Sequence, residues 1–306
     1  MTQKLRRINF EAMGSHCDIQ IYNNSRVDGR KQVKILMNEV NRLEKKYSRF
    51  SEDSFVAKIN ASAGNDLGLE IDYETLTLFD HARSCHEQSD GLFDITSAAL
   101  SKLWDFNQGK VPSLEEIEKT LPLVGFDKLE LHDSRLKMPA NMEIDFGGIV
   151  KEYAADSAAS LGRKLNIEHG LINLGGDFAV IGAQPDEQPW PVGVSDPKDG
   201  RKLMARIILM DGGLASSGDY ERFFEHEGKR YSHIINPLDG WPSSGLRAVS
   251  VAGNLCTVAG SMATVAMLKS ESEGIEWLRE SGLPHVYMTH DEQIGGVGHT
   301  SDLRSL

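Results

Sequence analysis

The chain has 306 residues, 40% of them hydrophobic and 25% charged, with 29 glycines and 10 prolines: an ordinary globular composition, long enough to bury a sizeable core. Its 33 basic residues are scattered among 45 acidic ones for a formal charge of −12, which argues against nucleic acid or an anionic membrane surface as the main partner. Cys17, Cys85 and Cys256 are sparse, odd in number and never at CxxC spacing, which argues against a disulfide framework and a structural zinc site.

The opening stretch MTQKLRRINFEAMGS is basic but leads into no apolar run, and no segment approaches the roughly 18 residues of a membrane span. The expected location is therefore the cytoplasm, without a membrane anchor. Residues 16–22 (HCDIQIY) alternate like a strand that Asn23-Asn24-Ser25 ends. From Lys31 to Tyr47, Val33, Leu36, Val40, Leu43 and Tyr47 recur at helical spacing, and a second helix is expected over 72–89 with Leu76, Phe79, Ala82 and Cys85 on one stripe. Residues 107–126 read as a polar surface excursion, with Pro112-Ser113 opening a short helix and Pro122 closing it.

The middle of the chain reads strand, turn, helix, strand. Residues 142–146 lead into Gly147-Gly148, a helix runs over 150–165, and a strand follows at 169–174. Further strands are expected at 178–182, 204–210, 248–253 and 285–288, with helices at 258–269 and 273–281. With no repeat, low-complexity tract or Pro/Ser-rich linker, the economical reading is one α/β (α+β mixed) domain over 1–306, with mixed sheets and helices packed on them.

The most informative stretch is Asp145-Phe146-Gly147-Gly148-Ile149-Val150-Lys151. Paired glycines ahead of a helix let backbone approach a ligand, the helix N-terminus offers unpaired N–H groups, and Lys151 adds a full charge, all of which suit a phosphate. A tight structural turn beside a solvated lysine accounts for the same residues. Asn173-Leu174-Gly175-Gly176-Asp177 ends the next strand with a second glycine pair. Ser216 and Ser217 beside Gly218 lack the G-x-S-x-G form of a hydrolase elbow. His233 lies in a short apolar run that suits a core histidine as well as a catalyst.

Taken in order, these elements resemble the ApbE family of FAD:protein FMN transferases along almost the whole chain. Met13-Gly14-Ser15 looks like the family's M-G-T, and YSRFSEDSFVAKIN (47–60) resembles its serine- and phenylalanine-containing region. Gly91-Leu92-Phe93-Asp94-Ile95-Thr96 matches G-x-F-D-x-T, with Trp104 following where a tryptophan is usual. Asp145 to Tyr153 resembles D-x-G-G-I-A-K-G-Y, residues 173–177 match N-L-G-G-D, 215–220 resemble A-T-S-G-D-Y, and 233–240 resemble H-I-I-D-P-x-T-G.

The resemblance implies FAD as substrate or ligand, Mg²⁺ as cofactor, and a separate acceptor protein whose Ser or Thr hydroxyl receives FMN. It implies flavin-nucleotide contacts at Met13, Phe50, Leu92, Phe93, Asp94, Asp145, Lys151, Asp177, Ser217 and Ile234, catalytic roles for His233 and Thr264, and metal ligation by Gly148 and Thr264. The family's metal segment A-D-A-L-A-T here reads Ala259-Gly260-Ser261-Met262-Ala263-Thr264, so its aspartate is Gly260. Losing that carboxylate is expected to weaken metal binding, and Gly260→Asp to raise magnesium-dependent turnover. Asp239 offers a substitute carboxylate or a plain turn residue. The alternatives to transfer are a non-catalytic FAD-binding carrier or regulator and an FAD pyrophosphatase giving FMN and AMP. No Ser/Thr-Gly-Ala segment is present, so self-modification is not expected.

Overall fold

A computed structural model describes residues 3–220 and 222–300. The chain opens with a hairpin of β1 (Lys4–Ala12) and β2 (Ser15–Asn23). Its two-residue turn holds Met13 and Gly14 at positive φ (52° and 69°), as a type I′ turn requires. Helix α1 (Arg26–Tyr47) follows, capped by the Ser25 side chain, and buries the five apolar residues that its periodicity singles out. Next come α2 (Phe55–Ala61), the short strand β3 (Leu69–Glu70), and α3 (Tyr73–Gln88) with Asp72 as its cap. Then comes α4 (Ala98–Ser101), and the polar excursion holds α5 (Leu114–Thr120), opened by a reciprocal Ser113–Glu116 capping box. Strands β4 (Glu130–His132) and β5 (Arg135–Lys137) complete a small sheet with β3.

Residues 142–146 do not form the expected strand. Ile144 exchanges both of its backbone hydrogen bonds with the Asn60 side chain, and the Asp145 N–H donates to the Ile95 carbonyl. The segment is extended, but its partners are a side chain and a loop, so no ladder forms.

The second half supplies α6 (Val150–Lys164), β6 (Gly170–Leu174), β7 (Asp177–Gly182), β8 (Trp190–Ser195), β9 (Leu203–Leu209) and β10 (Gly213–Gly218). The hairpin β11 (Phe223–His226) and β12 (Lys229–Ser232) precedes β13 (Ala248–Gly253), α7 (Cys256–Leu268) and α8 (Glu271–Ser281). Strands β14 (His285–Met288), β15 (Ile294–Val297) and β16 (His299–Thr300) end the described chain.

Eight strands form the main sheet in the order β1-β2-β6-β7-β10-β13-β14-β15, every neighbouring pair antiparallel. It draws on both ends of the chain. Side chains alternate across it. Ile172, Leu174, Ala215, Val249 and Val251 face a core covered by α1, α6 and α7, while Leu171, Leu214, Ala248 and Ala252 face a second core covered by β8 and β9. A third, aromatic cluster of Trp104, Phe224 and Tyr231 joins the polar excursion to the β11–β12 hairpin.

Helices α6 and α7 are locked together at one point. The Asp156 carboxylate accepts from Cys256 N–H (2.9 Å), Thr257 N–H (2.9 Å) and Thr257 Oγ1 (2.7 Å), which caps the otherwise uncapped start of α7. Asp156→Ala leaves these donors without their acceptor, so a loss of about 2 kcal/mol in urea unfolding is expected. A loss below about 0.5 kcal/mol would show that the cap does not hold the two helices in register.

Candidate functional site

One cleft of about 640 Å³ opens where the Met13–Gly14 turn, the Gly147–Gly148 turn, β10 and the segment after β12 meet. That volume suits a nucleotide-sized ligand. It is lined by Met13, Phe50, Leu92, Phe93, Asp94, Asp145, Gly148, Lys151, Ser217, His233, Ile234 and Thr264. Of the residues that the resemblance assigns a role, only Asp177 is absent from its wall.

The two glycine pairs converge on Lys151. The Gly147–Gly148 turn is exposed to the cleft and leads into α6, whose N-terminus has no side-chain cap. Phe93 packs beside Gly148, where an added Cβ would stand 3.6 Å from the ring. Lys151 Nζ lies 2.9 Å from Asp177 Oδ2, and Asp177 also accepts from the Ser216 N–H at 3.1 Å. Asp177 is 1% exposed and so holds the lysine from behind, while Gly175 at φ 65° brings the β6–β7 turn close to the same amine. An uncapped helix start, exposed backbone and a fixed ammonium together form an anion site.

Asp145 and its neighbours line the same cleft. Asp145 accepts from Gly147 N–H (2.9 Å) and pairs with Arg49 (3.0 Å), whose guanidinium lies 5.1 Å from the Phe50 ring centre. Phe50 is 81% exposed at the cleft mouth, so its ring is an open stacking platform. Asp94 is committed elsewhere: it accepts from Thr96 N–H and Oγ1 and from Phe126 N–H, and its Oδ2 lies 3.6 Å from His86. Its part in the site is to shape the Leu92–Phe93 wall.

His233 is half-buried, and its Nδ1 lies 3.2 Å from the Arg222 carbonyl. A carbonyl only accepts, so Nδ1 carries the hydrogen and Nε2 holds the lone pair. Burial holds the imidazole below its usual range, and the charges of Arg222 and Lys151 push the same way against the Arg222 carbonyl and Asp219. A neutral ring in this tautomer can take up a proton at Nε2.

Asp239 takes the turn reading. It accepts from Trp241 N–H (2.8 Å) and from Asn236 Nδ2 (3.3 Å), is exposed, and lies off the cleft wall. Four charged wall residues were not anticipated: Glu44, Arg49, Arg222 and Glu152. Nothing in their spacing distinguishes the two arginines from surface ones. Glu152, in the first turn of α6, is 7% exposed, and its carboxylate stands beside Gly260 of α7. Among the described residues no three His, Cys, Asp or Glu side chains cluster in a way that could hold a metal by themselves. No helix among them is long and apolar enough to cross a membrane.

Comparison with known proteins points the same way as the geometry. Residues 13–287 match the model of the ApbE family. The chain is 28% identical to the FAD:protein FMN transferase of Vibrio cholerae serotype O1, over 82% of this chain and 78% of that one. It is 29% identical to that of Treponema pallidum, over 79% and 73%. Among solved structures, the ApbE protein of Thermotoga maritima superposes with a TM-score of 0.88 at 29% identity, covering 96% of this chain and 97% of its own. The apo flavinyl transferase ApbE of Pseudomonas stutzeri gives 0.85 at 26%, covering 97% and 95%. With the family model spanning nearly the whole described chain, this protein is a member of the ApbE family.

Proposed function

We propose that this protein is an FAD:protein FMN transferase that works with Mg²⁺ and joins FMN to a Ser or Thr hydroxyl of a separate acceptor protein. The observation that carries the reading is the convergence of the Gly147–Gly148 turn, Lys151 and His233 on one nucleotide-sized cleft.

The FAD pyrophosphate suits the turn, where backbone N–H groups and Lys151 offset its charge. The Phe50 ring suits a flat aromatic system at the mouth. The Gly148 carbonyl and the Thr264 hydroxyl are hard oxygen donors on the same wall and fit Mg²⁺, which takes few protein ligands and completes its shell with phosphate and water. Bound there, the ion supplies charge withdrawal from the pyrophosphate. In the transfer, the acceptor oxygen forms a bond to the FMN phosphorus as the bond from that phosphorus to the AMP phosphate oxygen breaks. The hydroxyl proton passes to His233 Nε2, and AMP leaves. Lys151, held by Asp177, stays over the phosphates as their charge shifts.

The test is incubation with FAD, Mg²⁺ and an acceptor fragment bearing a threonine. Covalent flavin fluorescence in a denaturing gel together with release of AMP is expected; intact FAD, or FMN released to water with no labelled acceptor, contradicts transfer. Lys151→Ala is expected to weaken FAD binding about tenfold, the worth of one charge-assisted contact. Unchanged affinity in that variant would remove Lys151 from the phosphate site. Because burial lowers the His233 value, the ring takes up its proton at a pH below the usual 6.5. Transfer kcat/KM is therefore expected to fall to half of its plateau at a pH below 6.5. A half-point at or above that pH contradicts the assignment.

A further inference from the structure

Position 260 is not an empty gap. Asp156 of α6 caps Cys256 and Thr257 at the start of α7, and one turn away along each helix Glu152 meets Gly260. The two helices thus run antiparallel in fixed register, and a further turn of α7 reaches Thr264, on the cleft wall with Glu152. A Cβ at position 260 would stand 2.6 Å from Glu152 Oε1 and 2.7 Å from its Cγ. Glycine at 260 is what leaves room for the glutamate.

The sequence carries the matching trace. The family pattern D-x-G-G-I-A-K-G-Y has glycine where this chain has Glu152, and A-D-A-L-A-T has aspartate where it has Gly260. An acid has left α7, and an acid has entered α6 at the residue packed against the vacated position. We propose that Glu152 is the carboxylate ligand of the divalent cation in this site, reaching from α6 into the space that an aspartate at 260 would fill.

Burying a carboxylate is costly without compensation, and this one is 7% exposed in the wall of a cleft. The first turn of α6 offsets part of the cost through the helix dipole. Nearby, burial chiefly, with Asp177, Asp156 and Glu152 adding to it and Lys151 opposing, pushes the Cys256 thiol well above its ordinary value. A dication held by hard oxygen donors between Glu152, Thr264 and a nucleotide phosphate offsets the buried carboxylate's charge.

On this reading Gly260→Asp alone is not expected to improve magnesium use. The new side chain would collide with Glu152 and set two carboxylates together in a confined place.

The inference rests on the transferase reading, and the test separates the two. Mn²⁺ uptake is measured by electron paramagnetic resonance, with and without FAD, on the parent, Glu152→Gln, Gly260→Asp, and the exchange variant Glu152→Gly with Gly260→Asp. Glu152→Gln keeps shape and loses charge, and is expected to weaken FAD-dependent Mn²⁺ binding by about tenfold or more. Its metal-free FAD affinity, read by fluorescence quenching, and its melting temperature are expected to match the parent. Gly260→Asp alone is expected to gain nothing, and the exchange variant to recover parental Mn²⁺ affinity. Equal Mn²⁺ affinity in Glu152→Gln and parent overturns the assignment of Glu152 alone. Failure of the parent to take up Mn²⁺ at saturating FAD overturns the transferase reading with it.

Discussion

The site depends on the clamp between the Asp156 carboxylate and the first N–H groups of α7. Helix α7 starts without a side-chain cap of its own, and its buried face is built largely from small residues, Ala259, Gly260, Ser261 and Ala263 among them. Small residues let two helix backbones approach, but they do little to choose a register by shape. A single charged cap chooses it. Once Asp156 engages Cys256 and Thr257, Glu152 and Thr264 are committed to one cleft.

A second constraint acts from the sheet. Lysine at the start of a helix ordinarily sweeps a wide arc of solvent. Here Asp177, almost wholly buried and itself fixed by the Ser216 N–H of β10, holds Lys151 at the cleft wall. The β6–β7 turn therefore serves the site without touching its ligand space. The paired glycines 147–148 supply exposed backbone, and Gly175 supplies a close approach at positive φ.

Much of this was legible in the residues. The spacing of Val33, Leu36, Val40, Leu43 and Tyr47 marked the buried stripe of α1 because 3.6-residue periodicity follows directly from packing one helix face. Residues 142–146 misled because alternation cannot tell a sheet partner from the side chain of Asn60, a distant residue in sequence. Edge strand β1 went unseen since its charges break the pattern, its outer face being solvated. Strand β10, GLASSG, hides among small residues that have strand form only between β7 and β13. The candidate site residues were found through order and spacing of short motifs. Glu152 was missed, although its glycine-to-glutamate change was visible in the same motif; its meaning needed the register of two helices. Asp94 lies on the cleft wall and Asp177 behind it, and their carboxylates engage Thr96, Phe126, Ser216 and Lys151.

The central claim is spatial: one nucleotide lies across the Gly147–Gly148 turn with a dication between its phosphates, Glu152 and Thr264. A crystal structure of the FAD complex grown with Mn²⁺ tests it most directly through the anomalous signal of the metal. The account predicts one strong peak within coordination distance of a Glu152 carboxylate oxygen and of Thr264 Oγ1, with the pyrophosphate beside Lys151. A peak bound away from Glu152, or a flavin seated outside this cleft, would contradict it.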